Sequence, residues 1–170
     1  SLVEPSGAAI PAGLMKGLLH AANRTHGSIL LYRPNDKTMD EREVVPGGQD
    51  PLNSASGGSL GSAAYRLAQI GKEKLVEDVV SEVFFNAAPP SGQDLTWALS
   101  VPIACDGIHF GMLLVYGLVG KSGAEEVERD YWTSASVLLG LALHWRALKR
   151  KLAATPAQPR PGTGANPAAR

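Results

Sequence analysis

Hydrophobic and polar positions along this chain recur with the periods of helices and strands. Apolar residues at 10, 14 and 18 have helical spacing, which predicts a helix over 10–24. Aliphatic and β-branched runs predict strands over 27–32, 39–45 and 74–80, and a helix over 59–71 ends at a glycine. The segment 46–58 is rich in Gly, Pro, Asn, Asp and Ser, and predicts a long loop.

The most distinct pattern lies between residues 97 and 117. Two runs rich in Val, Ile and Leu flank Asp106-Gly107, which predicts a β-hairpin with a tight turn. Pro102 lies inside the first run and has no N–H to donate, so we expect an edge position, a bulge, or a point where the missing N–H is not needed.

A long helix follows the hairpin. Ser122 and Glu125 have the spacing of a capping box, which predicts a helix that begins near residue 123. Glutamates near its start and lysines and arginines near its end suit the helix dipole. The pattern continues to about residue 153, roughly 45 Å at 1.5 Å per residue. Such a helix is longer than one small domain needs to cover its own sheet.

These elements predict one α/β (α+β) domain, in which helices flank a central antiparallel sheet. We expect a flexible N-terminal segment at 1–9, the domain at 10–153, and a Pro/Ala/Gly-rich linker or disordered tail at 154–170. The chain is typical of a piece of a longer protein.

Charge and composition exclude several classes of function. Lysine plus arginine equals aspartate plus glutamate at 16 each, so no global field attracts nucleic acid or an anionic membrane. Apolar runs are too short for a transmembrane helix, and the N-terminus does not resemble a signal peptide. One cysteine, Cys105, cannot form an internal disulfide. We therefore expect a cytoplasmic protein that binds neither nucleic acid nor membrane.

Three stretches, in order, resemble the GAF domain family. Residues 18–36 are similar to the opening helix and first strand of the family, and 57–85 to its G-S-L-x-G segment. Residues 99–117 are similar to its V-P hairpin. The resemblance implies a GAF-like, PAS-related antiparallel sheet flanked by N- and C-terminal helices. It also implies a regulatory, sensory domain of a signalling or transcription-regulatory protein.

The resemblance implies a small-molecule site at Asp78, Phe85 and Trp97. Asp78 could bond a ring N–H or hydroxyl of a ligand, or it could cap the turn that follows it. The two aromatic residues could stack on a planar ligand, or they could fill the core beneath the neighbouring Pro-rich loop. The sequence names neither the ligand nor a cofactor.

Metal and redox chemistry have little support in the sequence. His109 could ligate haem or iron, but the other histidines lie on different elements without ligand spacing, so we expect a surface histidine. Cys105 has no basic neighbour in sequence to activate it. Free methionine sulfoxide reductases share the GAF fold, but that chemistry needs several cysteines. We expect no catalytic residue, no metal and no enzyme.

The end of the long helix points to self-association. Trp145, Leu148 and Leu152 lie beyond the expected reach of the sheet, at the spacing of a helix–helix seam. With Leu14 and Leu18 of the first helix they could form a parallel dimer bundle, or the two helices could pack within one monomer. We expect a homodimer that relays ligand state to an output domain; the alternative is a ligand-free dimerisation module.

Overall fold

A computed structural model describes residues 10–33, 35, 37–54, 60–77, 95–118 and 123–155. Short helices and antiparallel strands come first in the chain, and one long helix ends the series. They are α1 (Leu14–Ala21), β1 (His26–Arg33), β2 (Thr38–Val45), α2 (Pro51–Ser54), α3 (Ala63–Ala68), β3 (Lys74–Val76), β4 (Leu95–Cys105), β5 (Ile108–Leu118) and α4 (Glu126–Ala154).

The strands form one antiparallel sheet in the order β2-β1-β5-β4-β3. The hairpin between β4 and β5 turns at Asp106 (φ 56°) and Gly107 (φ 72°). A two-residue turn with positive φ at both positions matches the right-handed twist of the flanking strands, and glycine takes such a φ without strain. The predicted hairpin and the predicted α+β architecture are confirmed.

Pro102 lies in β4 opposite Met112 of β5. In the described part of the chain, β3 pairs only with residues 98–100 of β4. The Pro102 carbonyl accepts a hydrogen bond from the Ser136 hydroxyl of α4. Strand β4 lies between β5 and β3, so the predicted edge position is wrong, but the register of β4 shifts between Ile103 and Ala104, next to the predicted bulge.

Strand alternation divides the core into two layers, one on each face of the sheet. The α3 face carries α2 and α3, and the α4 face carries α1 and α4. The α3 face is built from Leu30, Tyr32, Met39, Leu52, Tyr65, Leu67, Met112, Leu114 and Tyr116, among others. The α4 face is built from Met15, Leu19, Ile29, Leu31, Trp97, Leu99, Val101, Ile103, Phe110, Trp132 and Leu143, among others.

Helix α4 lies very close to the backbone of β4. A Cβ atom at Gly140 would collide with the carbonyl oxygen of Ala104. Glycine therefore sets the distance between the helix and the strand. No helix in the described part of the chain is long and apolar enough to span a membrane.

Three helix boundaries differ from those expected. The segment predicted as one long loop contains α2, because the Asp50 carboxylate accepts hydrogen bonds from the N–H groups of Leu52 and Asn53 and so begins a helical turn. Helix α3 begins after Ser62, whose hydroxyl accepts from the Tyr65 N–H. The capping-box prediction is wrong, because α4 begins at Glu126 with Glu125 as its N-cap.

Candidate functional site: the two faces of the sheet and the outer side of α4

The three residues predicted to bind a ligand do not come together on one face. Asp78 and Phe85 lie outside the described residues. Trp97 packs on the α4 face, in register with Leu99 and Val101, because alternate residues of a strand point to the same side. Trp97 would therefore not face a ligand held between the sheet and α3, and its contact with a ligand stays a prediction.

Trp97 instead belongs to a cluster that joins α4 to the end of α1. The Arg24 guanidinium lies over the Trp97 ring, 4.9 Å from its centroid. Glu128 binds Arg24 through two hydrogen bonds of 2.8 and 2.6 Å and accepts a third, of 3.1 Å, from the Trp132 indole. The Glu128 hydrogen bond raises the pKa of Arg24, and burial opposes that rise. This cluster holds the start of α4 against the sheet.

The α3 face is closed by aromatic side chains in its described part. Tyr32 and Tyr65 meet edge to face with 6.2 Å between ring centroids. The Tyr32 hydroxyl donates to the Ala68 carbonyl oxygen at 2.7 Å. Leu67 and Met112 are also fully buried there. These described side chains pack between the sheet and α3.

Asp50 is a buried carboxylate on that same face. One of its oxygens accepts hydrogen bonds from the Ser28 hydroxyl at 2.6 Å and from the Tyr116 hydroxyl at 2.8 Å. The other accepts from the N–H groups of Leu52 and Asn53, each at 2.9 Å. Burial raises the pKa of Asp50, and the hydrogen bonds from Ser28 and Tyr116 oppose that rise. Asp50 thus ties the segment after β2 to strands β1 and β5.

Sequence reasoning missed Asp50 because its two side-chain partners come from distant segments. Ser28 lies 22 residues before it and Tyr116 lies 66 residues after it. The one local signal is the Asp-Pro pair at 50–51, which favours the start of a turn or helix.

Glu73 connects the loop after α3 to α4. Its carboxylate accepts hydrogen bonds from the Arg129 guanidinium at 2.6 Å and from the Thr133 hydroxyl at 3.0 Å. This loop runs into β3, which ends one residue before Glu77 and two before Asp78. A displacement of this loop would therefore act directly on the first turns of α4.

Two cavities lie beside the terminal helices. An apolar groove of about 300 Å³ between α1 and α4 is lined by Leu14, Leu18, Leu138, Leu139 and Arg146, with other residues. A second cavity of about 460 Å³ lies at the start of α4, where Asn23, Arg24, Glu125 and Glu128 supply polar walls. Both lie on the α4 side of the sheet.

The outer side of α4 is apolar and exposed. Trp145 is 59% exposed and Leu152 is 76% exposed, while Leu148 is also classed as exposed. Leu14 and Leu18 are half-buried in the groove, one turn apart on α1. The residues predicted for a dimer interface therefore lie on connected surfaces of the two terminal helices.

The described residues assemble no metal site, and the one cysteine is half-buried. The described residues contain no group of three or more His, Cys, Asp or Glu side chains that could hold a metal ion. His109 is half-buried against Gly71, so the prediction of a surface histidine is only partly met. Cys105 is half-buried against the core of the α4 face.

No protein-family model and no curated protein matches the sequence. Solved structures do match the fold. The GAF domain of a phosphoenolpyruvate-protein phosphotransferase from Acinetobacter superposes with a TM-score of 0.60 at 12% identity, over 81% of this chain and 82% of that one. A GAF domain/HD domain protein from Geobacter sulfurreducens gives 0.60 at 10% identity, over 79% and 92%.

A third similar structure belongs to an enzyme. The type II free methionine-R-sulfoxide reductase from Thermoplasma acidophilum superposes with a TM-score of 0.58 at 14% identity, over 76% of this chain and 86% of that one. At sequence identities this low, the structural similarity establishes the fold alone. The chain is a GAF-fold domain, as the motifs in the sequence predict.

Proposed function

We propose that this chain is a cytoplasmic regulatory domain of a larger signalling or transcription-regulatory protein. It forms a homodimer through its terminal helices and relays the state of a small-molecule ligand to an output domain. The observation that carries the proposal is the Glu73 bridge, which links the loop leading to the predicted ligand residues with α4.

The relay follows from where that bridge lies. Any ligand contacts Asp78 and Phe85 in this proposal, and Asp78 follows Glu73 by five residues. Arg129 and Thr133 lie one turn apart on α4, so Glu73 holds one side of the helix at two points. Movement at Asp78 then changes the position of the helix whose outer side forms the dimer.

The GAF domains that share this fold include one from a phosphotransferase and one joined to an HD domain. Both are parts of larger proteins, which supports a regulatory role for this chain. An enzymatic role has less support. The reductase with the same fold acts on free methionine-R-sulfoxide, whereas this chain has a single thiol and no second cysteine to resolve an oxidised one.

The alternative function is a ligand-free dimerisation module. The packing around Tyr32 and Tyr65 favours it, because these buried side chains occupy part of the space between the sheet and α3. Native mass spectrometry of the freshly purified chain separates the two. A dimer that retains a small molecule supports the sensor, a dimer without one supports the alternative, and a monomer contradicts both.

The relay is tested with Glu73→Gln and a matched control, Glu77→Gln, at an exposed position four residues further on. Coupling between two sites is reciprocal, so dimer formation must act back on the loop. In the wild type we expect hydrogen exchange over residues 69–77 to slow between dilute and concentrated protein. Glu73→Gln should abolish that change and Glu77→Gln should keep it. Identical exchange at both concentrations in the wild type contradicts the relay.

A further inference from the structure

The outer side of α4 carries a regular apolar seam. Its core positions are Leu138, Leu141, Trp145, Leu148 and Leu152, spaced alternately three and four residues apart, as at the a and d positions of a coiled coil. All five are exposed. The residues of α4 that are buried against the sheet point to the opposite side: Trp132, Ser136, Gly140 and Leu143.

We propose that two copies of the chain pair through this seam with their α4 helices antiparallel. The proposal rests on the homodimer of the proposed function and gives its orientation. It departs from the parallel bundle that the sequence alone suggests.

Side-chain size favours the antiparallel register. When Leu138 of one copy faces Leu141 of the other, the same register places Ser134 opposite Trp145 and Val127 opposite Leu152. A small residue then lies opposite the largest one on the seam. Val127 and Leu152, which are 80% and 76% exposed at the two ends of α4, cover one another. A parallel pair would place Trp145 against its own copy.

Charge favours the same orientation. On one flank of the seam Glu126 and Asp130 lie near the start of α4, and Lys151 lies near its end. Antiparallel pairing brings Asp130 of one copy next to Lys151 of the other, and two-fold symmetry makes this contact twice. A parallel pair would instead bring His144 and Lys149 together across the seam and bring both copies of Lys151 to the same end.

Cross-linking distinguishes the two orientations. In a Cys105→Ser background, Val127→Cys and Leu152→Cys proteins are oxidised separately and as an equimolar mixture. We expect a disulfide-linked dimer mainly in the mixture, since these positions face one another only in the antiparallel pair. Rapid linking of Leu152→Cys with itself overturns the proposal and leaves the homodimer intact.

Charge reversal gives an independent measurement. Lys151→Glu should weaken the dimer about tenfold, because two exposed attractive pairs become repulsive ones. Asp130→Lys should do the same, and the double variant should restore the wild-type affinity. In a parallel dimer Lys151→Glu would tighten association, since it would place a carboxylate of each copy beside the Lys149 and Arg150 cations of the other. Sedimentation over a concentration series measures the dimer affinity of the two single variants and the double variant.

A wild-type chain that stays monomeric at hundreds of micromolar overturns both the homodimer and this orientation. The seam would then be covered by another segment of the longer protein or by a different partner. A dimer that Leu141→Glu leaves intact overturns the seam alone, provided that circular dichroism shows the variant folded.

Discussion

The two faces of the sheet differ in the interactions that hold their helices in place. The α3 face is held by buried polar anchors: Asp50 ties a connecting segment to two strands, and the Tyr32 hydroxyl bonds a helix carbonyl. The α4 face is mostly apolar beneath its helices; Ser136 bonds the Pro102 carbonyl there, and the charged contacts are those of Glu128 and Glu73. Hydrogen bonds hold the elements of the α3 face together, whereas close contact between α4 and β4 holds those of the α4 face.

This difference bears on how each face responds to change. A buried hydrogen-bond network has one good geometry, since each lost partner leaves another group unsatisfied. Helices over an apolar layer can shift by small amounts with little loss of contact energy, because hydrophobic burial is non-directional. The α4 face, which also carries the seam, is therefore the face suited to transmit a displacement.

The largest effect on stability is expected when the Asp50 carboxylate, which anchors the α3 face, is removed. Asp50→Ala takes away four hydrogen bonds and leaves the Ser28 and Tyr116 hydroxyls buried without a partner. We expect a loss of about 4 kcal/mol in the free energy of unfolding. Urea denaturation measures it, with Asp40→Ala as control, at a half-buried carboxylate that pairs with Arg42. Equal stability of the two variants would show that Asp50 is not an anchor.

The next largest effect is expected where α4 meets β4. Gly140→Ala forces the helix away from the Ala104 carbonyl oxygen, and we expect a loss of about 3 kcal/mol. Gly17→Ala is the matched control in α1, where an added methyl meets nothing, and it should stabilise the domain by about 0.5 kcal/mol. Similar thermal midpoints for both variants would mean that α4 does not depend on the close approach.

The pH dependence of stability sharpens the comparison. The folded-state pKa of Asp50 lies above the ordinary value of 3.8, because burial disfavours its charged form. The folded protein thus binds this proton more tightly than the unfolded chain. The contribution of this proton to the free energy of unfolding is complete below pH 3.8 and is lost as the pH rises through the folded-state pKa of Asp50.

Asp50→Asn isolates this contribution, since asparagine does not titrate. The free energy of unfolding of the wild type relative to Asp50→Asn should fall as the pH rises from 3.8. Urea denaturation at a series of pH values gives the difference. A difference that grows with pH would mean that the hydrogen bonds outweigh burial and lower the pKa of Asp50.

The smallest effect is expected at Cys105. Its thiol is half-buried at the edge of the α4 face, so Cys105→Ser should change the free energy of unfolding by about 0.5 kcal/mol or less. Dimer affinity should equal that of the wild type in the presence and absence of peroxide. A peroxide response that the serine variant loses would show a redox role.

The sequence predicts most of the fold because the strong signals are local. Asp106-Gly107 specifies its own turn, and the hydrophobic periods locate the strands on either side of it. Helix α2 was missed because one turn of helix has no usable period. The start of α4 was placed too early because Ser122 and Glu125 have capping-box spacing, although Glu125 itself is the N-cap.

The site was harder to predict, because its groups meet only in the folded chain. Trp97 was assigned to the ligand by its proximity to a Pro-rich loop, whereas its parity with Leu99 and Val101 already points to the other face. Glu73 gave no signal at all, since Arg129 follows it by 56 residues. The seam that we propose for the dimer is visible in the sequence in part, as the spacing of Trp145, Leu148 and Leu152 along one helix.

The positions of the three tryptophans provide an optical readout that needs no label. Trp97 and Trp132 are buried, under Arg24 and beside Glu128 respectively, so their emission reports whether the domain is folded. Trp145 is in contact with water, and the Lys149 ammonium lies 5.6 Å from its ring centroid. Association would transfer this indole alone to an apolar environment and shift its emission to shorter wavelength. The difference between the spectra of the wild type and Trp145→Phe therefore follows pairing, while the Trp145→Phe spectrum follows unfolding.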